Sequence, residues 1–177
     1  MKSRGIEKWN KEEKMKAIII GCPGAGKSTF ARKLQEKTNL PLYYLDMLWH
    51  KPDRTKRKRE EFDEILRELM KKEEWIMDGN YQRTLEMRLK ECDTVILLDY
   101  PVEVCLSGVN SRIGKKRIDM PWVEEQFDED FKQEIIHFSE EKLPEIYQLL
   151  EKYKENRNII IFHSREEAEE YLEKMSI

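Results

Sequence analysis

The chain has 177 residues, enough for one domain with a real core, and carries 33 Lys and Arg against 36 Asp and Glu. A net charge of −3 excludes a protein drawn as a whole to nucleic acid. No apolar run approaches the length of a membrane span, and the charged first residues lead us to expect no secretory leader.

Residues 1–14 include eight charged side chains and little that can anchor them, so a flexible charged extension is expected there. The domain proper is expected over 15–177. Ala17–Ile20 is a short β-branched run, as in a buried parallel strand. It leads into Gly21-Cys22-Pro23-Gly24-Ala25-Gly26-Lys27-Ser28-Thr29, which fits the phosphate-loop pattern G-x-x-x-x-G-K-[ST] without a mismatch. Phe30–Lys37 follows as a helix without a breaker. Strand, glycine loop and helix is the arrangement that aims successive backbone N–H groups and a positive helix end at a phosphate. Gly21, Gly24 and Gly26 permit the turn, Lys27 supplies a charge for the β- and γ-phosphates, and the Ser28 hydroxyl can ligate Mg²⁺. Thr29 offers one further phosphate contact. The pattern predicts that the chain binds a nucleoside triphosphate.

A second strand is expected over Leu40–Leu45, with Pro41 at its start and Asp46 at its end. Next comes the densest basic run, Lys51 to Arg59, with six cations in nine residues. Three readings of it stay open: a solvated helix start, an acceptor-phosphate site, or a nucleic-acid patch. Cations at a helix N-terminus oppose its dipole, which points to a purpose beyond the helix. Trp49 and His50 beside it can stack on a base or pack on the domain edge. In Glu60–Lys71, Phe62, Ile65, Leu66, Leu69 and Met70 recur on one face of a helix.

Further strands are expected over Glu74–Met77, ending at Asp78, over Thr94–Leu98, ending at Asp99, and over Asn158–Phe162. A helix carrying Ile146, Leu149, Leu150 and Tyr153 has Pro144 in its first turn, and Ser164-Arg-Glu-Glu167 reads as a capping box for the last helix. Alternating strands and helices imply a parallel sheet covered on both faces. Asp46, Asp78 and Asp99 each end a strand, where ligands of such sheets bind, so they are expected to share a crevice with the phosphate loop.

Three cysteines, Cys22, Cys92 and Cys105, have no metal-like spacing. Reduced thiols in the cytoplasm are expected. Cys22, inside the loop, is either a reactive thiol or simply a small residue that fits.

Gly21–Thr29, Tyr44-Leu-Asp46-Met-Leu-Trp49-His-Lys51-Pro52, Arg59-Glu-Glu-Phe62, Trp75-Ile-Met-Asp78-Gly79-Asn80-Tyr81, Arg83-Thr84 and Asp93–Asp99 together resemble the FlaR-type "DNA topology modulation" proteins. Those are P-loop proteins similar to adenylate kinase and other small-molecule kinases. The resemblance implies an α/β, three-layer P-loop NTPase fold with a five-stranded parallel sheet, like that of nucleoside monophosphate kinases. It implies an ATP- and Mg²⁺-dependent kinase of a small-molecule acceptor, a hydroxyl compound or a nucleotide, with an acceptor-binding insert at about 47–73 and a lid at about 108–122. The family name leaves a nucleotide-dependent DNA-associated factor as the alternative, and a non-catalytic NTP switch is a third.

By that resemblance Asp78 holds Mg²⁺ with Ser28, and Asp99 is the runner-up. Arg112 and Arg117 match lid arginines that stabilise the transferring phosphoryl group. Gly108 and Asn110 stand where relatives are more basic, which implies a weakened lid. Kinase relatives bind an acceptor phosphate just after Asp-Gly; here the stretch is Asn80-Tyr81-Gln82-Arg83, one residue longer. Asn80, Tyr81, Arg83 and Arg59 are thus the acceptor candidates. Asp46 is placed to orient an acceptor hydroxyl and take its proton.

Overall fold

The computed structural model describes residues 13–175. The expected charged extension lies outside them except for Glu13 and Lys14. Five strands, β1 (Lys16–Gly21), β2 (Leu42–Tyr44), β3 (Trp75–Asp78), β4 (Thr94–Leu98) and β5 (Asn158–Phe162), form one parallel sheet in the order β2-β3-β1-β4-β5. Ala17, Ile18, Ile19 and Ile20 are all 0 % exposed. Successive strand residues point to opposite faces, so burial of all four means that both faces of the central strand are covered. This is the three-layer α/β arrangement expected.

The helices are α1 (Lys27–Thr38), α2 (Leu45–Trp49), α3 (Arg59–Met70), α4 (Gln82–Glu91), α5 (Val102–Arg112), α6 (Glu129–Glu141), α7 (Leu143–Lys152) and α8 (Arg165–Lys174). The stripe foreseen on α3 buries Phe62, Leu66 and Met70, and Pro144 stands in the first turn of α7. Ser164 caps α8 by accepting from Glu167 N at 3.2 Å. The Glu167 carboxylate takes His163 N rather than the cap's own N–H, a shifted form of the expected box.

The second strand departs from expectation. Pairing stops at Tyr44, and Leu45 opens α2, so Asp46 sits in the first turn of a short helix. Leu45 is 0 % exposed and plugs the site below Gly79. Register sets Tyr44 and Ile19 beside Asp78, and Gly21 beside Leu98. The phosphate loop and the residues ending β2 and β3 therefore meet at the carboxyl edge of the sheet, where ligands of such folds bind.

Candidate active site

The loop from Gly21 to Ser28 closes the gap between β1 and α1. Gly26 caps α1 at φ 98°, a left-handed conformation that an L side chain resists. Gly24 lies so close to α5 that a Cβ would stand 2.0 Å from Cys105 O, and one on Gly108 would stand 2.0 Å from Gly24 O. Gly108 thus belongs to helix packing against the loop, not to the lid. Pro23, Gly24, Gly26, Lys27 and Ser28 line a cavity of about 1110 Å³. Ala25 is buried, its N–H bonded to Cys22 O at 3.0 Å, and Thr29 is exposed at the rim.

Lys27 Nζ donates to Gly21 O at 3.0 Å and Cys22 O at 3.2 Å. Burial lowers its pKa, and Asp78 and Asp46 oppose the fall. Cys22 is 5 % exposed, and its thiol is pushed up by a hydrogen bond with the Cys105 thiol and by burial. Burial in this form suits the small-residue reading of Cys22.

Asp78, the last residue of β3, is 7 % exposed. Burial raises its pKa to about 7; Lys27 works against this rise, while Asp46 and Asp119 add to it. Asp46 lines the same cavity, and its Oδ1 accepts from the Tyr81 hydroxyl at 2.6 Å. Asn80 Oδ1 accepts from Gly21 N at 2.9 Å, and its Nδ2 donates to Gly21 O. The turn Gly79-Asn80-Tyr81 therefore touches both the phosphate loop and the acid.

Arg88, which the sequence reading passed over, fixes that turn. It is 0 % exposed, and its guanidinium donates to Gly79 O at 3.0 Å, to Asn80 O, and to Tyr81 O at 3.3 Å. Tyr81 adopts φ 39°, costly for an aromatic residue and tolerated here because those carbonyls are held. The only signal was Arg88 sharing a helix face with Thr84, Leu85 and Leu89.

The segment expected to form a lid lies from Ile113 to Asp128 between α5 and α6, and begins later than expected because α5 continues to Arg112. Arg112 and Arg117 both line the cavity. Arg112 pairs with Glu124 at 3.4 Å, and Arg117 with Asp119 at 3.7 Å and Glu124 at 3.4 Å. On the opposite wall the basic run forms a hairpin. Lys51 N bonds Thr55 O at 2.8 Å, Arg57 N bonds Trp49 O at 2.9 Å, and Arg57 pairs with Glu61 at 2.7 Å. Arg54 and Lys56 line the cavity with Trp49 and His50. His50 meets the lid's Trp122 edge-on, ring centroids 4.9 Å apart. Burial lowers the His50 pKa, with Asp46 opposing, so the imidazole is neutral near pH 7.

Three expected site residues stand elsewhere. Arg83 is 44 % exposed and forms a forked pair with Asp63 at 2.6 and 2.9 Å on the outer face of α4. Arg59 is exposed in the first turn of α3, away from the cavity lining. Asp99 lies in a separate cavity of about 360 Å³, where it accepts from the Tyr147 hydroxyl at 2.6 Å and faces His163 at 3.6 Å. The expected three-acid crevice is thus Asp46 and Asp78, joined by Asp119 from the lid.

Among the described residues no three His, Cys, Asp or Glu side chains converge as a metal cage. A serine hydroxyl beside buried carboxylates suits a cation that keeps waters and phosphate oxygens, which is the habit of Mg²⁺. Among the same residues no helix is long and apolar enough to cross a membrane.

The chain is 33 % identical over 87 residues to adenylate kinase of Thermotoga neapolitana and 32 % identical over 87 residues to that of Thermotoga maritima. Each match covers 48 % of this chain and only 39 % of the relative's length. Shikimate kinase from Acinetobacter baumannii, solved with shikimate, superposes with a TM-score of 0.57 at 21 % identity, over 91 % of this chain and 90 % of that one. Shikimate kinase from Bacteroides thetaiotaomicron gives 0.53 at 18 % identity, over 90 % and 94 %. These likenesses establish the P-loop kinase fold. No family model matches the chain, and the FlaR-type resemblance rests on its motifs alone.

Proposed function

We propose that this protein is an ATP- and Mg²⁺-dependent phosphotransferase whose acceptor is a small molecule presenting a hydroxyl. One observation carries the choice of acceptor. Asp46, held by Tyr81, faces the cavity that contains the phosphate loop and lid arginines, whereas Arg59 and Arg83, the expected acceptor-phosphate ligands, lie outside it. A hydroxyl needs a base and orientation; a phosphate acceptor is already anionic and needs cations instead.

In this reading the loop amides and Lys27 hold the β- and γ-phosphates. Mg²⁺, when bound by Ser28 and Asp78, neutralises charge on the triphosphate. Asp46 accepts the hydroxyl proton as that oxygen bonds to the γ-phosphorus, and the bond to the β–γ bridging oxygen breaks to release ADP. Arg112 and Arg117 turn from Glu124 and Asp119 toward the equatorial oxygens, where their charge counts most in the transition state. Two of six cations in the basic run serve the cavity and a third pairs with Glu61, which weighs against a nucleic-acid face. Free, buried cysteines fit a cytoplasmic enzyme.

The test is Lys27→Ala. Transfer from ATP should be lost with the melting temperature retained, because the charge serves the ligand and not the core. Unchanged turnover would end the kinase reading.

A further inference from the structure

Between Ile113 and Asp128 only Asp119 and Met120 are buried, at 6 % and 9 % exposed. A carboxylate carried into the protein needs polar or charged partners there. Asp119 meets the phosphate loop: its Oδ2 accepts from Ser28 Oγ at 3.1 Å, with Arg117 Nη1 at 3.7 Å. Ser28 is the hydroxyl that the loop pattern assigns to the metal. Adjacent ligands of an octahedral Mg²⁺ at about 2.0–2.1 Å stand about 3 Å apart, so the two oxygens are already spaced as neighbours in such a shell.

Charge points the same way. Asp46, Asp78 and Asp119 line the same cavity as Lys27, and a triphosphate adds more negative charge. A divalent cation between Ser28 and Asp119 adds to what Lys27, Arg112 and Arg117 offset.

We propose that Asp119 is a metal-holding carboxylate carried by the lid, which completes the Mg²⁺ site with Ser28 only when the lid is closed. Metal occupancy and lid closure are then one event, and Arg117 is delivered to the phosphates by the same movement. The proposal rests on the reading of this cavity as a Mg²⁺–nucleotide site.

The test uses the full chain, ADP and Mn²⁺, with bound Mn²⁺ read by electron paramagnetic resonance. Asp119→Asn keeps the shape and a hydrogen bond to Ser28. Mn²⁺ affinity of its ADP complex should fall about 10-fold or more, while metal-free ADP affinity does not fall and the protein still melts cooperatively. Unchanged or tighter Mn²⁺ binding overturns the proposal and makes Asp119 a placeholder displaced by the metal. Absence of nucleotide-dependent Mn²⁺ binding in the wild type overturns it equally. Asp119→Cys supplies a second arm, since a thiolate ligand favours a soft ion. The ratio of Cd²⁺ to Mn²⁺ affinity should rise by about 10-fold over the wild type, and an unchanged ratio contradicts ligation. No acceptor enters these assays, so failure of the hydroxyl-kinase reading is seen separately in turnover.

Discussion

The Tyr81 hydroxyl donates to Asp46 Oδ1 at 2.6 Å and thereby ties the turn after β3 to the first turn of α2. One carboxylate oxygen is engaged by this bond, and on the proposed reading the other meets the acceptor. Tyr81→Phe should keep the fold, lower kcat about 10-fold, and leave ATP affinity unchanged, since one hydrogen bond to a charged group contributes roughly 1.5–3 kcal/mol. Steady-state kinetics beside nucleotide titration checks this, and a rise in ATP Kd with constant kcat would contradict it.

Arg88 holds the same turn from within the core, so its loss should act on stability. Arg88→Met leaves the carbonyls of Gly79, Asn80 and Tyr81 without their donor. Buried acceptors stripped of a charged partner cost about 3–5 kcal/mol, which in a domain of this size lowers the melting temperature by about 10 °C. A melt within about 2 °C of the wild type would show that water replaces the guanidinium without penalty.

Asp78 gives stability a pH signature. Its folded pKa of about 7 lies above the ordinary 3.8, so between those values the folded state binds more protons than the unfolded. Its effect on stability is absent below the ordinary value and becomes increasingly unfavourable as pH rises through that window. Asp78→Asn should therefore melt higher than the wild type at pH 8 in EDTA, by about 4 °C or more, and match it near pH 4. The same variant should lose Mg²⁺ dependence of nucleotide binding. A difference in melting temperature independent of pH would contradict the buried-charge account.

Arg112 at the end of α5 and Arg117 beyond it carry a prediction about the transition state. Replacing Arg112 and Arg117 together by Ala should lower kcat at least about 100-fold, with ATP affinity falling much less. Equal losses in affinity and kcat/KM with kcat intact would make them uniform binders.

The sequence announced β1, the phosphate loop, the sheet and the α3 stripe because local periodicity and glycine spacing carry those features. It placed Asp78 correctly at a strand end, since a fully apolar run such as Trp75–Met77 leaves little choice. Asp46 shifted into a helix because α2 forms only where Leu45 finds a buried slot, a tertiary effect. Arg83 left the site and Arg88 went unforeseen for a similar reason: both are arginines on α4, and only packing decides which faces Asp63 outside and which enters the core. Asp99 reads like Asp78 in sequence, yet β4 lies on the other side of β1 and delivers it to another cavity. The buried place of Asp119 depends on how the lid folds back, which no periodicity encodes.

The most direct measurement is phosphoryl transfer from ATP to a panel of polyols, nucleosides and nucleoside monophosphates, with wild type and Asp46→Asn compared. The account predicts that the wild type phosphorylates a hydroxyl compound, and that Asp46→Asn abolishes this while ATP affinity stays within about 2-fold, because Asp46 acts on the acceptor proton. Robust phosphorylation of a monophosphate that survives Asp46→Asn, or tight ATP binding with no acceptor in any class, would contradict it.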